Sequence, residues 1–263
     1  MLLSLLGDVA DLFLPSACAG CGAERVRLRY GACDRCAAAL EALTPLATAP
    51  RPPPPGMPRC VAVGPYAGEL RGTLLAYKER GRHRLARPLG TLLASAVARL
   101  APKGAPVFLV PIPSTAAATR ERGGDHMTRL AAHAVRRLRE AGWQADLTHL
   151  LRALPKPDAA SLSVGERAVA AESSLRIRPA RIGKFSRRSP GKGTLVVVDD
   201  IVTTGATLAV ATARLEEANV QVTGAAVLAA TRLRRPSRER FATFLPGITE
   251  KAERRPSGIP NEG

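Results

Sequence analysis

Two adjacent carboxylates and a threonine-rich turn are the residues of this sequence best suited to chemistry. Asp199 and Asp200 follow the apolar run 195–198, which is typical of a strand buried on both faces of a parallel sheet. The segment 203–207, Thr-Thr-Gly-Ala-Thr, comes next and leads into a run with helical periodicity at 208–219. The pattern predicts a strand, a turn carrying polar groups, and a helix.

This strand, turn and helix could bind a sugar phosphate. Ligands of parallel α/β sheets bind beyond the carboxyl ends of the strands, where Asp199 and Asp200 could accept hydrogen bonds from vicinal hydroxyls. Free backbone N–H groups at a helix start, together with hydroxyls, form a cradle for a phosphate. We therefore expect a ribose 5-phosphate site with Asp199 and Asp200 as its catalytic residues. The expected phosphate contacts are Thr203, Thr204, Gly205, Ala206 and Thr207.

A purely structural role would explain fewer residues of the segment 199–207 than a sugar-phosphate site does. An ordinary strand and capped helix would use only Asp200 or Thr204 as a cap. A Walker A loop is excluded because no Gly-Lys-Ser/Thr follows the glycine, and a dinucleotide fingerprint is excluded because no Gly-x-Gly-x-x-Gly stands at a strand end.

A second group of residues suits a metal. Cys18 and Cys21 form one Cys-x2-Cys pair, and Cys33 and Cys36 form another, eleven residues later. Four thiolates at this spacing are a ligand set for tetrahedral Zn2+, and they leave no open position for substrate, so the expected role is structural. A disulfide or redox pair, an iron–sulfur site and simple packing remain as alternatives. Cys60 is expected to be a small buried hydrophobic residue.

The first fourteen residues do not resemble a secretion signal. The segment 1–14 is apolar, but it contains no Lys or Arg and it carries Asp8 and Asp11. It is also too short to span a membrane. We therefore expect no transmembrane segment and a cytoplasmic protein, where thiols stay reduced.

The order of predicted elements indicates an α/β fold with a parallel sheet flanked by helices and a small N-terminal zinc-binding module. The predicted strands are 61–66, 107–111, 146–150, 195–198 and 222–229, and the predicted helices are 37–43, 70–78, 85–100, 126–141, 162–171 and 208–219. Polar composition predicts loops at 152–157 and 184–193.

Composition changes along the chain predict four regions. Residues 1–47 hold an N-terminal helix and the four-cysteine module, and 48–60 form a proline-rich linker. Residues 61–231 form the α/β domain, and 232–263 form a basic tail that is largely disordered. With 263 residues and 46% apolar content, the chain has enough material for one medium domain and a small appendage.

The segment 199–207 resembles the phosphoribosyl-diphosphate (PRPP) signature of type I phosphoribosyltransferases, Asp-Asp-x-x-Thr-Thr-Gly-x-Thr. Together with the cysteine pairs, the chain resembles the ComF family (competence protein F-like), phosphoribosyltransferase-like proteins with an N-terminal zinc-ribbon-type module. The other segments that carry this resemblance are 12–15, 66–71, 77–81, 110–113, 120–123, 162–163 and 166–167.

One segment departs from the family pattern. Where the family usually has Arg-Gly-Phe-Asn-Gln, residues 122–126 are Arg-Gly-Gly-Asp-His. The four histidines share no ligand spacing with one another or with the cysteines, so we expect His83, His133 and His149 to be ordinary core or surface residues. His126 is the exception because it lies in the departing segment.

The resemblance implies a phosphoribosyltransferase, a glycosyltransferase that binds PRPP with Mg2+ and transfers phosphoribosyl to a base. Arg120 and Arg122 are candidates for the pyrophosphate because a guanidinium matches phosphate oxygens in a bidentate way, and Lys78 is a further candidate. The alternative for all three is a solvated surface cation.

The net charge of +17 favours polyanionic partners such as nucleic acid or pyrophosphate, although composition alone also explains it. Aromatic residues make up only 3% of the chain, so a stacking platform for single strands is not indicated. The ComF resemblance implies an alternative function without catalysis, as a competence factor that handles single-stranded DNA beside helicase and other competence proteins.

Overall fold

The apolar runs of the sequence assemble into one six-stranded sheet in a computed structural model that describes residues 17–154, 175–188 and 193–231. The spatial order of the strands is β3-β4-β10-β9-β5-β6. All neighbouring pairs are parallel except β3 and β4, which are antiparallel. The predicted α/β class with a mostly parallel sheet is confirmed.

The strands within the described ranges are numbered β1 to β10 in chain order. They are Leu28–Arg29, Ala32–Cys33, Leu46–Thr48, Cys60–Pro65, Val107–Pro111, Ala145–Leu147, Leu151–Ala153, Leu175–Ile177, Thr194–Val202 and Gly224–Ala230. Strands β1 and β2 form a separate hairpin, and β7 pairs with β8.

The helices of the same ranges are numbered α1 to α7. They are Asp34–Glu41, Gly68–Glu79, Ala86–Ala98, Ala116–Glu121, His126–Glu140, Pro179–Arg188 and Ala206–Glu217. Among them, none combines the length and hydrophobicity needed to cross a lipid bilayer.

Helices cover both faces of the sheet, which explains the uninterrupted apolar run 195–198 in its central strand β9. On one face, α2, α3 and α5 pack against Val196 and Val198 of β9. On the other, α6, α7 and the β7–β8 pair pack against Leu195 and Val197 of the same strand. Alternating side chains of one strand therefore enter two different cores, so β9 has no solvent face and its sequence shows no polar alternation.

Two predicted loops are wrong in part, at residues 152–153 and 184–188, because the contacts that order these residues are not visible locally; residues 155–157 and 189–192 lie outside the described residues. The predicted loop 152–157 overlaps β7, whose Leu151 is 2% exposed and pairs with Ile177. The predicted loop 184–193 overlaps α6, which continues to Arg188 and places Phe185 edge-on against Phe108 at 5.0 Å. Partners distant in sequence stabilise both segments. The predicted helix 162–171, the N-terminal helix and the basic tail lie outside the described residues.

The cysteine module packs directly on α2. A Cβ atom on Gly72 would lie 2.2 Å from the backbone oxygen of Gly20, so only glycine allows this approach. The Arg82 guanidinium also donates to the backbone oxygen of Ala17 at 2.6 Å. Strand β3 follows the module and forms the edge of the main sheet, where it pairs with β4. It crosses the predicted boundary between residues 47 and 48. The module therefore contacts the helix that also carries Lys78.

Candidate functional site

Strand β9 carries both carboxylates at the point where the sheet opens. The sequence pattern predicts a strand that ends before Asp199, but β9 continues to Val202 and pairs with β10 over that length. On its other side, β5 pairs with β9 only as far as Val198. Because β5 ends first, Asp199 and Asp200 border a crevice on that side, as ligand sites of parallel sheets do.

Asp200 is buried and held by two side chains. Only 6% of the residue is exposed. Its Oδ2 lies 2.7 Å from the Lys78 ammonium and 3.2 Å from Nε2 of His126. Burial alone would raise the pKa of Asp200, but the His126 hydrogen bond and the Lys78 charge outweigh burial and hold this pKa below its usual value. Asp200 is therefore ionised at neutral pH.

The His126 ring is itself fixed by the loop that follows β5. Nδ1 of His126 lies 3.2 Å from the Ser114 hydroxyl, and the Tyr77 hydroxyl donates to the backbone oxygen of His126 at 2.8 Å. In the neutral tautomer with its proton on Nε2, His126 donates to Asp200 and accepts from Ser114. Ser114, His126 and Asp200 thus form one hydrogen-bonded chain from the β5 loop to β9.

Asp199 is in a different electrostatic environment. Its carboxylate accepts the backbone N–H of Asp200 at 2.8 Å, and the side chain lies on the same sheet face as Cys60. Burial raises the pKa of Asp199 well above its ordinary value, and the neighbouring charge of Asp200 raises it further. Burial, with the Asp199 charge, also raises the pKa of Cys60 to about 12. Adjacent carboxylates with pKa values shifted in opposite directions are typical of a functional site.

The threonine turn places open polar groups at the start of α7. Thr203, Thr204 and Thr207 are exposed, and the Thr204 hydroxyl accepts the Ala206 N–H at 3.4 Å. Gly205 has φ = 79° and is the N-cap residue, with no side-chain cap. Asp200 therefore does not cap this helix, and a capping role does not explain why a carboxylate stands at position 200.

The proline-rich segment before β4 packs on this turn. A Cβ atom on Gly205 would lie 2.5 Å from the Met57 sulfur and 3.2 Å from a Pro50 carbon. Glycine is therefore required at position 205 both by its positive φ and by these neighbours. The predicted linker borders the candidate phosphate site.

Two of the three expected pyrophosphate residues meet in one cavity. Lys78 and Arg122 line a cavity of about 300 Å3, with Glu79 and His83. Nε of Arg122 is buried and has no hydrogen-bond partner among the described residues, while its Nη2 lies 3.7 Å from Glu79. The positive charges of Lys78 and Arg122 would favour an anionic ligand in this cavity. Arg120 is exposed and does not line the cavity.

The four cysteines form a cluster that could hold a metal. Their Sγ atoms all lie within 4.8 Å of one another, and those of Cys21 and Cys33 are 3.9 Å apart. Tetrahedral Zn–S bonds of about 2.3 Å require S–S separations of about 3.8 Å, whereas a disulfide requires about 2.05 Å. All four are free thiols. The arrangement fits Zn2+ and does not fit a disulfide.

Backbone groups around the cluster favour a thiolate at Cys18. Burial would raise the pKa of Cys18, but backbone hydrogen bonds, including the Cys33 N–H at 3.2 Å, lower it to about 6. Burial and the neighbouring thiols raise the pKa of Cys36 instead. A divalent cation bound at the centre of the cluster would allow all four thiols to ionise.

His126 and Ser114 are residues that the sequence interpretation did not place in the site. The only signal was that His126 stands where the family it resembles has Gln, in the departing segment 122–126. Its contact with Asp200 joins residues 74 positions apart, so no local spacing could have indicated it.

Replacing each carboxylate by its amide should change stability in opposite directions. The pKa of Asp199 is higher in the folded chain than in the unfolded chain, where it is near 3.9. Above that pH the ionised carboxylate opposes folding, so Asp199→Asn should be more stable than the parent chain at pH 7. The lowered pKa of Asp200 means that its ionised form stabilises the fold above the same pH, so Asp200→Asn should lose about 1.5–3 kcal/mol. Urea unfolding at pH 7 measures both; shifts of the same sign would contradict the assignment.

Metal analysis should find one zinc ion per chain bound to the cysteine cluster. Cys36→Ser should reduce the bound zinc to background because three thiolates hold the ion far more weakly than four, whereas Cys60→Ala should retain it. Plasma mass spectrometry of the purified chain gives the ratio. Stoichiometric iron, or no metal in folded protein with free thiols, would rule out zinc.

Comparison with curated proteins finds none that matches the chain. A family comparison does find a match, and it covers the strand, turn and helix that carry the candidate site. Of the matched range, the structure describes residues 175–188 and 193–231, which contain β9, α7 and β10. Residues 161–254 match the family model described as "Phosphoribosyl transferase domain".

Proposed function

We propose that the chain binds PRPP with Mg2+ and is a phosphoribosyltransferase, transferring the 5-phosphoribosyl group to a base. The observation that carries this proposal is the placement of Asp199 and Asp200 between the threonine turn and the Lys78–Arg122 cavity. The match of residues 161–254 to a phosphoribosyl transferase domain supports the same activity.

The 5-phosphate binds at the start of α7 in this proposal. The exposed hydroxyls of Thr203, Thr204 and Thr207 surround the first backbone N–H groups of a helix twelve residues long. These N–H groups have no partner within the helix and carry partial positive charge, so a phosphate there gains hydrogen bonds and favourable electrostatics. Met57 and Pro50 pack on Gly205 and limit the motion of the turn.

The ribose hydroxyls bind to the two carboxylates. Oδ2 of Asp200 already receives Lys78 and His126, which leaves Oδ1 to accept a hydroxyl proton. Asp199 accepts well only when ionised, and its raised pKa opposes ionisation in the free protein. Binding of PRPP is therefore expected to strengthen as the pH rises through the pKa of Asp199.

The pyrophosphate occupies the cavity of Lys78 and Arg122. The Arg122 guanidinium lines this cavity and supplies a positive charge there, and Lys78 can interact with both Asp200 and a phosphate oxygen. Arg120 could reach the ligand only from the exposed surface of α4. Bound Mg2+ would neutralise pyrophosphate charge and, because it keeps several waters, needs few protein ligands; carboxylate and phosphate oxygens are the donors it prefers.

The reaction requires little chemistry from protein side chains. A nitrogen of the base forms a bond to C1 of the ribose as the bond from C1 to the pyrophosphate oxygen breaks, and pyrophosphate leaves with the bonding electrons. Positive charge develops on the ribose ring; the ionised Asp200 stabilises it, and Asp199 does so once the pH is above its raised pKa. The remaining residues hold the two reactants in line.

We propose as a second function that the chain is a cytoplasmic ComF-family competence factor that handles single-stranded DNA beside a helicase. The net charge of +17 favours this function because it attracts the phosphates of DNA. DNA affinity measured from 50 to 200 mM salt should then fall steeply, by about 10³-fold or more for six or more phosphate contacts. Absence of binding at 50 mM salt would exclude this function.

Calorimetric titration with PRPP and Mg2+ tests the transferase proposal. The parent chain should bind saturably, and Asp199→Asn/Asp200→Asn should lose at least about 100-fold in affinity, because two hydrogen bonds to charged groups contribute about 3–6 kcal/mol. The matched control is Glu216→Gln/Glu217→Gln, which removes two adjacent exposed carboxylates at the other end of α7. Equal affinity in both double variants would contradict the assignment.

A further inference from the structure

A second cavity lies between the cysteine module and helices α3 and α5. It has a volume of about 320 Å3 and lies between β1, β2 and α1 of the module on one side and α3 and α5 on the other. It shares no lining residue with the Lys78–Arg122 cavity. Its size is within the usual range for small-molecule sites.

The wall formed by α3 and α5 is fixed by a close helix contact. A Cβ atom on Gly90 would lie 2.4 Å from Cβ of His133, so the two helices touch at this point. The floor of the cavity is apolar and buried, and consists of Ala32, Leu40, Leu85 and Leu92. Such a floor suits the carbon skeleton of an organic ligand.

Cationic groups surround this apolar floor. The Tyr30 ring has the Arg87 guanidinium 5.0 Å from its centroid and that of Arg29 at 6.0 Å. Arg136 donates to Nδ1 of His133 at 2.6 Å, so it approaches a neutral ring and not an acid. Within the described ranges, neither Arg29, Arg87 nor Arg136 forms an ion pair with a carboxylate.

The charge at the cavity matches one phosphate monoester. Besides these three arginines, the lining includes Arg137, which lies 3.9 Å from Glu140, and also Glu41. With four arginines and two glutamates, the charged residues that line the cavity have a net charge of +2. A phosphate monoester carries a charge of about −1.5 to −2 at pH 7. Burial lowers the pKa of His133, and the charges of Arg136, Arg87 and Arg129 lower it further, so the ring is favoured in its neutral form and is not counted among the charges.

We propose that this cavity binds a phosphorylated organic molecule of nucleoside monophosphate size. The phosphate lies between Arg87 and Arg136, where guanidinium groups can form bidentate hydrogen bonds with its oxygens. The organic part lies on Leu40, Leu85 and Leu92. Because one wall belongs to the cysteine module, the ligand also bridges the module and the helices. This site is independent of the proposed PRPP site.

The experiment uses the full zinc-loaded chain and adenosine 5′-monophosphate as probe. Binding is followed by calorimetry and by the NMR signals of the histidine rings, with that of His133 assigned through His133→Gln. We expect the His133 signal to shift saturably in the parent chain and in Asp199→Asn/Asp200→Asn. Arg87→Ala/Arg136→Ala should weaken this binding at least tenfold. Both arginines are exposed, so the variant should fold.

The matched control is Arg71→Ala/Arg99→Ala, which removes the same charge from exposed positions that do not line the cavity. This control should bind like the parent chain. A response confined to His126 would overturn the proposal, since it would place the probe only in the PRPP site. Equal affinity for adenosine, or for inorganic phosphate, would also overturn it, because the site would then not require both parts of the ligand.

Discussion

The charged contact between Lys78, His126 and Asp200 organises the candidate site. It joins α2, α5 and β9 at the point where β5 ends and the sheet opens. An ionised carboxylate that is 6% exposed would oppose folding without these two partners. The same partners keep Asp200 ionised while Asp199, one residue away, is driven toward its neutral form. The contact therefore determines both the position and the charge of the site.

Close backbone approaches connect this contact to the rest of the molecule. Gly72 brings the cysteine module against α2, the helix that carries Lys78, and Gly90 brings α3 against α5, the helix that begins at His126. A side chain at either glycine would clash with atoms of the neighbouring element. The two elements would then have to move apart. The module and the carboxylate crevice are thus connected through the same layer of helices, formed by α2, α3 and α5.

Sequence patterns predicted the elements whose signals are local. The apolar runs predicted β9 and β10 because both strands are buried on two faces, and the cysteine spacing predicted a cluster because two residues between paired cysteines bring their thiols close together. Strand β7 was missed because its partner lies more than twenty residues away along the chain. His126 was missed for the same reason, since its role depends on Asp200 of another element. The missed features all depend on contacts between distant residues.

A crystal structure of the chain with PRPP and Mg2+ tests the central claim most directly. The account predicts the ribose hydroxyls on Asp199 and Asp200, the 5-phosphate at residues 203–207, and the pyrophosphate in the cavity lined by Lys78 and Arg122. PRPP bound elsewhere, with the Lys78–Asp200 contact and the threonine turn free of ligand, would contradict it.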